Sequence, residues 1–310
     1  MAAVKRRKRI VIVAVIIAVL LIMAAVFGFY GAGYSLIIRR QTLEEARTWQ
    51  ENHYDLSWYD PLEKTDYTVT SYDGYILHAQ FLPNPDPSSR YIIISHGYSD
   101  NRFGALKYAK MYLDLGFNII VYDLRGHGLN EQTFCTYTAR ERKDLLAMIR
   151  DSRQRWPDMT FFGLHGESLG AATSIAVLEE KPPVDFVVAD CGFSEIESVM
   201  KTSLHLMRLP SWLVHVASLC AKLRFGWSYQ DMRPIDSLKD NEIPILFIHG
   251  AQDAFIPPFH SQAMAKATKG YSEVHLIEGA AHARSMLTAP EEYGRIVEAF
   301  LQKALSPESD

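Results

Sequence analysis

The sequence predicts an α/β fold: a mostly parallel β-sheet with helices on both faces. Three observations predict it. From Thr65 onward, short apolar runs alternate with longer amphipathic stretches, the rhythm of successive βα units. Several runs are apolar at consecutive positions, as in YIIIS (91–95) and FNIIVYD (117–123), which suits strands buried on both faces. The pattern opens with two segments flanking Asp73-Gly74, a strong hairpin turn signal.

Ahead of this fold stands a segment of another kind. Lys5-Arg6-Arg7-Lys8-Arg9 precedes an uncharged run, Ile10–Ile38, mostly Val, Ile, Leu and Ala until Gly28, Gly31 and Gly33. About 20 apolar residues span a bilayer, so residues 1–38 are expected to form a basic N-terminus and an uncleaved transmembrane anchor. The alternatives are a cleaved signal peptide, whose apolar region usually runs to only about 7–15 residues, and a core helix, which rarely lacks a polar face over this length. Five basic residues before the run outnumber Arg39, Arg40 and Arg47 after it. This bias predicts a single-pass cell-membrane protein with a cytoplasmic N-terminus and an extracytoplasmic C-terminal domain. Residues 39–64 read as a juxtamembrane helix and linker passing through Asp60-Pro61, and residues 65–310 as one domain.

Within that domain, DYTVTS and YILHAQFL form the hairpin and YIIIS the next strand. A helix over about 101–115 ends near Gly116. The strand at 117–123 is followed by a charged amphipathic helix at about 138–154, with Leu145, Leu146, Met148 and Ile149 as its apolar positions. MTFFGLH (159–165) is a strand and about 168–180 a helix stopped by Pro182-Pro183. VDFVVAD (184–190), IPILFIHG (243–250) and EVHLIEG (273–279) are three more strands, and about 290–305 is a closing helix. Residues 193–240 break the rhythm. They hold no strand but two or three short amphipathic helices carrying Trp212, Leu213, Val214, Leu219, Leu223 and Trp227, and are the candidate lid.

The 310 residues are 48% hydrophobic and 22% charged, ordinary globular composition. All 36 acidic residues lie beyond residue 38, whereas five of the 32 basic ones precede it, so the remainder carries a net charge near −9. Such a domain is a poor nucleic-acid binder, because phosphate contacts supply most of that affinity. Three cysteines, Cys135, Cys191 and Cys220, make no disulfide scaffold. No CxxC or HExxH spacing occurs, and no metal or organic cofactor is expected. The composition sets no oligomeric state.

In open parallel sheets, ligands bind beyond the carboxyl ends of the strands. After MTFFGLH comes Gly166-Glu167-Ser168-Leu169-Gly170, a G-x-S-x-G motif in its strand–turn–helix context. The glycines let the chain turn sharply, and Ser168 projects at the top of the sheet as the candidate nucleophile. A serine hydroxyl needs a neighbouring base. Of eleven histidines, His282 follows the last strand in GAAHARS, where the base is expected. His96, His127, His249 and His275 are expected to pack or hydrogen-bond locally. The imidazole needs a carboxylate to fix its tautomer. Asp253, just past the strand ending near His249, is the expected acid, and Asp190, at the end of an earlier strand, is the alternative. For an oxyanion, two amides qualify. Leu169 sits at a helix N-terminus. Tyr98 follows Gly97, which allows close backbone approach.

Together these stretches resemble the α/β-hydrolase fold family over about residues 65–305. ISHGYSDN, VYDLRGHG, GLHGESLGA, PILFIHGAQDAFIP and GAAHA occur in the family's order. Within it, the chain is similar to a bacterial, membrane-anchored branch known as lysophospholipase-like or serine-aminopeptidase-like. The resemblance implies Ser168 as nucleophile, Asp253 as acid, His282 as base, and Tyr98 and Leu169 as oxyanion donors. It implies structural roles for Asp123, Arg125 and His127 of DLRGHG. Asn130 departs from it, standing where small residues are common.

The expected function is that of a serine hydrolase cleaving carboxylic esters, acyl or lipid-like, through an acyl-enzyme. Its partners would be a small-molecule ester or lipid and, through the N-terminal helix, a membrane. The same triad also serves an acyltransferase or an amidase or peptidase. A non-catalytic binding pseudoenzyme, which would be expected to lack a triad residue, is a further alternative.

Overall fold

The computed structural model describes residues 2–305. The chain opens with one continuous helix, α1 (Ala2–Leu36), then a short α2 (Leu43–Glu51). A capping box starts α2: Thr42 Oγ1 accepts from the Glu45 N–H, and the Glu45 carboxylate accepts from the Thr42 N–H. Strands β1 (Thr65–Thr70) and β2 (Ile76–Leu82) make the antiparallel hairpin, with Gly74 at φ +83° in its turn. There follow β3 (Arg90–Ser95), α3 (Leu106–Asp114), β4 (Phe117–Tyr122), α4 (Glu141–Arg155), β5 (Phe161–Glu167), α5 (Leu169–Ala176) and β6 (Phe186–Asp190). Then come α6 (Ile196–Leu206), α7 (Leu213–Phe225), β7 (Ile245–Gly250), α8 (Phe259–Ala267), β8 (Ser272–Ile277), α9 (Ser285–Thr288) and α10 (Pro290–Leu305).

The strands form a single sheet in the order β1-β2-β4-β3-β5-β6-β7-β8. Strand β2 pairs antiparallel with β1 and β4, and every later pairing is parallel. The carboxyl ends of β3 to β8 therefore share one edge. Side chains alternate across the sheet with period two. Ile92, Ile94, Ile119 and Val121 pack on one face with Tyr108 of α3 and Phe300 of α10. Ile93, Ile120 and Phe247 pack on the other with Leu145 of α4 and Ile175 of α5. Truncating any of these isoleucines to Ala should cost about 2–5 kcal/mol.

Residues 193–240 hold α6, α7 and two 3₁₀ turns, Tyr229–Asp231 and Pro234–Leu238, and no strand. Helix α8 has no counterpart in the sequence reading. Its inward face carries His260 and Ser261 beside Met264, so it shows no apolar stripe.

Helix α1 is long and apolar enough to cross a membrane. Its first turns, as at Ile10 and Ile16, are exposed, but its last are not. Ala32 and Leu36 are fully buried, and α1 packs along α7. A Cβ on Gly28 would lie 2.6 Å from Cys220 Sγ. The Cys135 N–H donates to the Leu36 carbonyl (2.8 Å), and the Ser35 and Tyr229 hydroxyls are 2.7 Å apart.

Candidate active site

Ser168 sits on the bend between β5 and α5 with φ 52° and ψ −109°, a conformation that costs a non-glycine residue about 1–3 kcal/mol. Its neighbours hold it there. The Ser168 N–H donates to the Asp190 carbonyl (2.8 Å), and the Ala172 N–H donates to the Ser168 carbonyl (2.9 Å). The flanking glycines have a steric cause. A Cβ on Gly166 would lie 2.2 Å from Gly170 backbone atoms, and one on Gly170 would lie 2.1 Å from the Ser95 carbonyl oxygen. Only hydrogen at these two positions lets α5 seat against β5 and the end of β3.

His282 lies on the loop after β8 and reaches this bend. Ser168 Oγ and His282 Nε2 are 2.9 Å apart, and His282 Nδ1 is 2.6 Å from Asp253 Oδ2. A carboxylate only accepts, so Nδ1 carries the proton and Nε2 of the neutral ring accepts from the Ser168 hydroxyl. Asp253 lies just beyond β7. Its Oδ1 accepts from the Phe255 and Ile256 amides (3.0 and 2.8 Å), and His249 Nε2 is 3.3 Å from Oδ2. Burial alone would raise this carboxyl. Hydrogen bonds with His249 and His282 outweigh it and hold Asp253 well below the usual carboxylate range.

Asp190 is differently placed. It is fully buried at the end of β6, accepting from the Tyr108 hydroxyl (3.0 Å) and the Ser285 hydroxyl (3.3 Å). Among the described residues no hydrogen bond joins it to His282. Burial, then the neighbouring Glu167 charge, raise its carboxyl to about 6.

The loop after β3 lies against the serine, since a Cβ on Gly97 would be 3.8 Å from Ser168 Cβ. The Tyr98 amide on this loop and the Leu169 amide at the start of α5 donate to no acceptor among the described residues. Two buried histidines brace the loop. His96 Nδ1–H donates to the Gly97 carbonyl (2.7 Å), while its Nε2 accepts from the Leu124 N–H (2.9 Å). Burial holds His96 well below its ordinary pKa. His127 Nε2 accepts from the Ser99 N–H (3.3 Å). Asp123 accepts from the Arg102 and Leu129 amides, and Arg125 pairs with Asp73 and Asp144. Asn130 donates to the Asp123 and Leu124 carbonyls and accepts from the His78 N–H, which fastens the loop after β4 to β2. His275 lies on edge strand β8 and contacts Glu273 (2.8 Å).

A second group was not read from the sequence. Glu167, the residue before Ser168, is buried in an ion pair with Lys107 and accepts from the Tyr108 hydroxyl (2.7 Å). A Cβ on Gly97 would meet Glu167 Oε1 at 3.2 Å, so this pair backs both the bend and the loop. The available signal was a carboxylate closing an apolar strand; its lysine lies 60 positions earlier.

The arrangement suits transfer of the Ser168 proton to His282, and the Leu169 and Tyr98 amides beside the bend are unpaired among the described residues. Among the described residues no cluster of three His, Cys, Asp or Glu side chains is arranged to hold a metal ion.

The family model described as serine aminopeptidase, S33, matches residues 86–243. The chain belongs to the α/β-hydrolase family. The uncharacterized protein YqkD of Bacillus subtilis (strain 168) is 30% identical over 273 residues, 86% of this chain and 89% of its own. The α/β-hydrolase domain-containing protein WAV2 of Arabidopsis thaliana is 24% identical over 253 residues, 77% of this chain and 78% of its own. Among solved structures, the Pyrococcus furiosus esterase Pf2001 superposes with a TM-score of 0.67 at 21% identity, covering 86% of this chain and 98% of that one. An acylaminoacyl peptidase from Pyrococcus horikoshii gives 0.62 at 16% identity, covering 80% of this chain and 43% of that one. At these identities the structural likeness carries the fold. The family makes this protein a hydrolase.

Proposed function

We propose that this protein is a membrane-anchored serine hydrolase that cleaves carboxylic esters, with Ser168 as nucleophile, His282 as base and Asp253 as acid. The observation that supports this most is the hydrogen-bonded chain from Ser168 Oγ through both nitrogens of His282 to Asp253 Oδ2, at 2.9 and 2.6 Å. In this reading His282 takes the Ser168 proton as the hydroxyl attacks the ester carbonyl, and the Tyr98 and Leu169 amides receive the oxyanion. His282 then protonates the departing alkoxide, and water attacks the acyl-enzyme by the same route. Asp190 is left as a structural carboxylate. Helix α1 serves as the anchor, with Lys5–Arg9 on the cytoplasmic side and the catalytic domain outside.

Amide hydrolysis is the second reading, favoured by the serine aminopeptidase description of the matching family model. The test uses the full chain in detergent, a chain-length series of p-nitrophenyl esters, and aminoacyl p-nitroanilides in parallel. The ester reading expects ester turnover that vanishes in Ser168→Ala. Faster anilide turnover would favour the amidase, products dominated by transfer to added alcohols would favour the acyltransferase, and full activity in Ser168→Ala would overturn the assignment. Protease access to the C-terminal domain from outside intact cells tests the orientation.

A further inference from the structure

The contact between α1 and the lid fixes how deep the lid lies relative to the apolar span. The two helices run in the same direction. Gly28 of α1 meets Val216 and Cys220 of α7, Gly33 meets Arg224, and Ser35 reaches Tyr229 just beyond α7. Moving toward the N-terminus of α7 therefore means moving back along α1 toward the middle of its apolar run. Trp212, at the N-terminal end of α7, lies about 9 Å farther back than the level of Gly28, at 1.5 Å per residue.

The basic cluster Lys5–Arg9 must stay in water or headgroups. A hydrocarbon layer about 30 Å thick, beginning at Ile10, then ends near Tyr30. Shifting the layer toward the C-terminal end of the run only sinks the lid further. In either placement the turn between α6 and α7 falls inside the hydrocarbon layer, on the Tyr30 side.

The turn is built for that place. Leu206, Met207, Leu209 and Trp212 are 58, 57, 37 and 56% exposed, and Leu219 and Leu223 of α7 are 61 and 70% exposed. Trp212, Val216, Leu219 and Leu223 follow a helical i, i+4, i+7, i+11 spacing along α7, and Val216 of this row lies against Gly28 of α1. Charge agrees. No Asp or Glu occurs between Ser198 and Gln230, in a domain otherwise strongly acidic. Lys201 and Lys222 pair with Glu197 and Asp231 just outside that stretch, and Arg208 and Arg224 form no ion pair among the described residues. Apolar side chains rimmed by cations suit an anionic phospholipid leaflet.

We propose that the α6–α7 turn of the lid inserts into the same bilayer that α1 crosses, so that lid and anchor enter the membrane as one unit beside the active site. This rests on the reading of α1 as a membrane anchor. Membrane lipid, with anionic headgroups at its surface, is the occupant of this apolar face.

The test uses the full chain in nanodiscs containing phosphatidylglycerol, with one nitroxide at a time on Leu209→Cys, Val15→Cys or Lys239→Cys. The native cysteines are buried, so labelling is selective. Depth is read from relaxation by oxygen against a water-soluble nickel chelate. The expected result is oxygen-dominated relaxation at 209 and 15 and nickel-dominated relaxation at 239. A deep label at 15 with an aqueous one at 209 overturns the lid proposal and leaves the anchor standing. An aqueous label at 15 overturns the anchor reading and the proposal with it. A second readout is Met207→Asp combined with Leu209→Asp. Turnover of a short water-soluble ester should stay within about twofold, while turnover of an ester dissolved in the disc should fall roughly tenfold or more, by loss of interfacial seating. Equal loss on both substrates would mark a folding defect and count against insertion. Failure of the wild type on every ester would refute the esterase reading without touching the depth measurement.

Discussion

Gly170→Ala tests whether the bend at Ser168 depends on close packing. The added Cβ would sit 2.1 Å from the Ser95 carbonyl oxygen and 2.7 Å from that of His96. Relief to the roughly 3.0 Å floor of real Cβ contacts requires about 0.9 Å of movement. The obstacle is backbone at the end of a central strand, so no side chain can swing away, and α5 must lift. Ser168 is the residue before α5 and moves with it. Overpacking of this kind costs about 1–3 kcal/mol of stability, and a misplacement near 1 Å costs on the order of 10²-fold in rate. The variant should therefore melt a few degrees lower and lose about two orders of magnitude in kcat on a p-nitrophenyl ester, with KM changing much less. Thermal unfolding and steady-state kinetics on the full chain measure both. Wild-type Tm together with kcat within about twofold of wild type would refute the steric argument.

Asp253→Asn should lower kcat by about 10⁴, because the amide favours the wrong imidazole tautomer; an equal or larger loss in Asp190→Asn would move the acid to β6. Asp190 also has a pH signature. Its folded pKa of about 6 lies above the unfolded value of about 3.9, so the folded state binds the extra proton between them. Its ionisation therefore costs stability progressively as pH rises from about 4 to 6. Glu167, Lys107, Tyr108 and His249 face this group. Asp190→Asn should raise Tm relative to wild type more at pH 8 than at pH 4, and a pH-independent difference would count against it. Finally, residues 39–310 should be less stable than residues 28–310 by roughly 3–6 kcal/mol, the burial of Leu36 and Ile38 at about 1.5–3 kcal/mol each. Equal denaturation midpoints would show that the end of α1 contributes nothing to the domain.

The parallel core was legible because consecutive apolar positions such as Ile92–Ile94 and Ile119–Val121 have few other homes than a sheet covered on both faces. Most strands lie within two residues of their expected bounds. The bend at Ser168 was legible because two glycines and a helix start are local features. Helix α8 was not, since His260 and Ser261 occupy its inward face and find partners in Ser194 and His249. The Lys107–Glu167 pair was not legible either, because a buried lysine in α3 looks like any surface lysine until its partner is known. The sequence favoured Asp253 as the acid and kept Asp190 as the alternative, since Asp190 ends β6 and Asp253 follows β7 at the same sheet edge. In the structure His282 hydrogen-bonds to Asp253, while Asp190 turns to Tyr108 and Ser285.

The end of α1 matters beyond stability because of what it touches. The Tyr98 hydroxyl donates to the Ile37 carbonyl (3.3 Å), and the Gln41 N–H donates to the Ser99 carbonyl (2.8 Å). Tyr98 also stacks on Tyr137, at 5.7 Å between ring centroids, and the Tyr137 hydroxyl donates to the Ser35 carbonyl. The loop carrying the Tyr98 amide is therefore tied on one side to His96 and His127 and on the other to the chain leaving α1. An oxyanion donor is effective when it is held in place before the reaction rather than reorganised during it. Each of these bonds removes a direction in which the loop can drift. A chain cut at residue 39 keeps Ser168, His282 and Asp253 but loses the Ile37 and Ser35 carbonyls. Its defect should then appear in kcat, where the oxyanion forms, more than in KM.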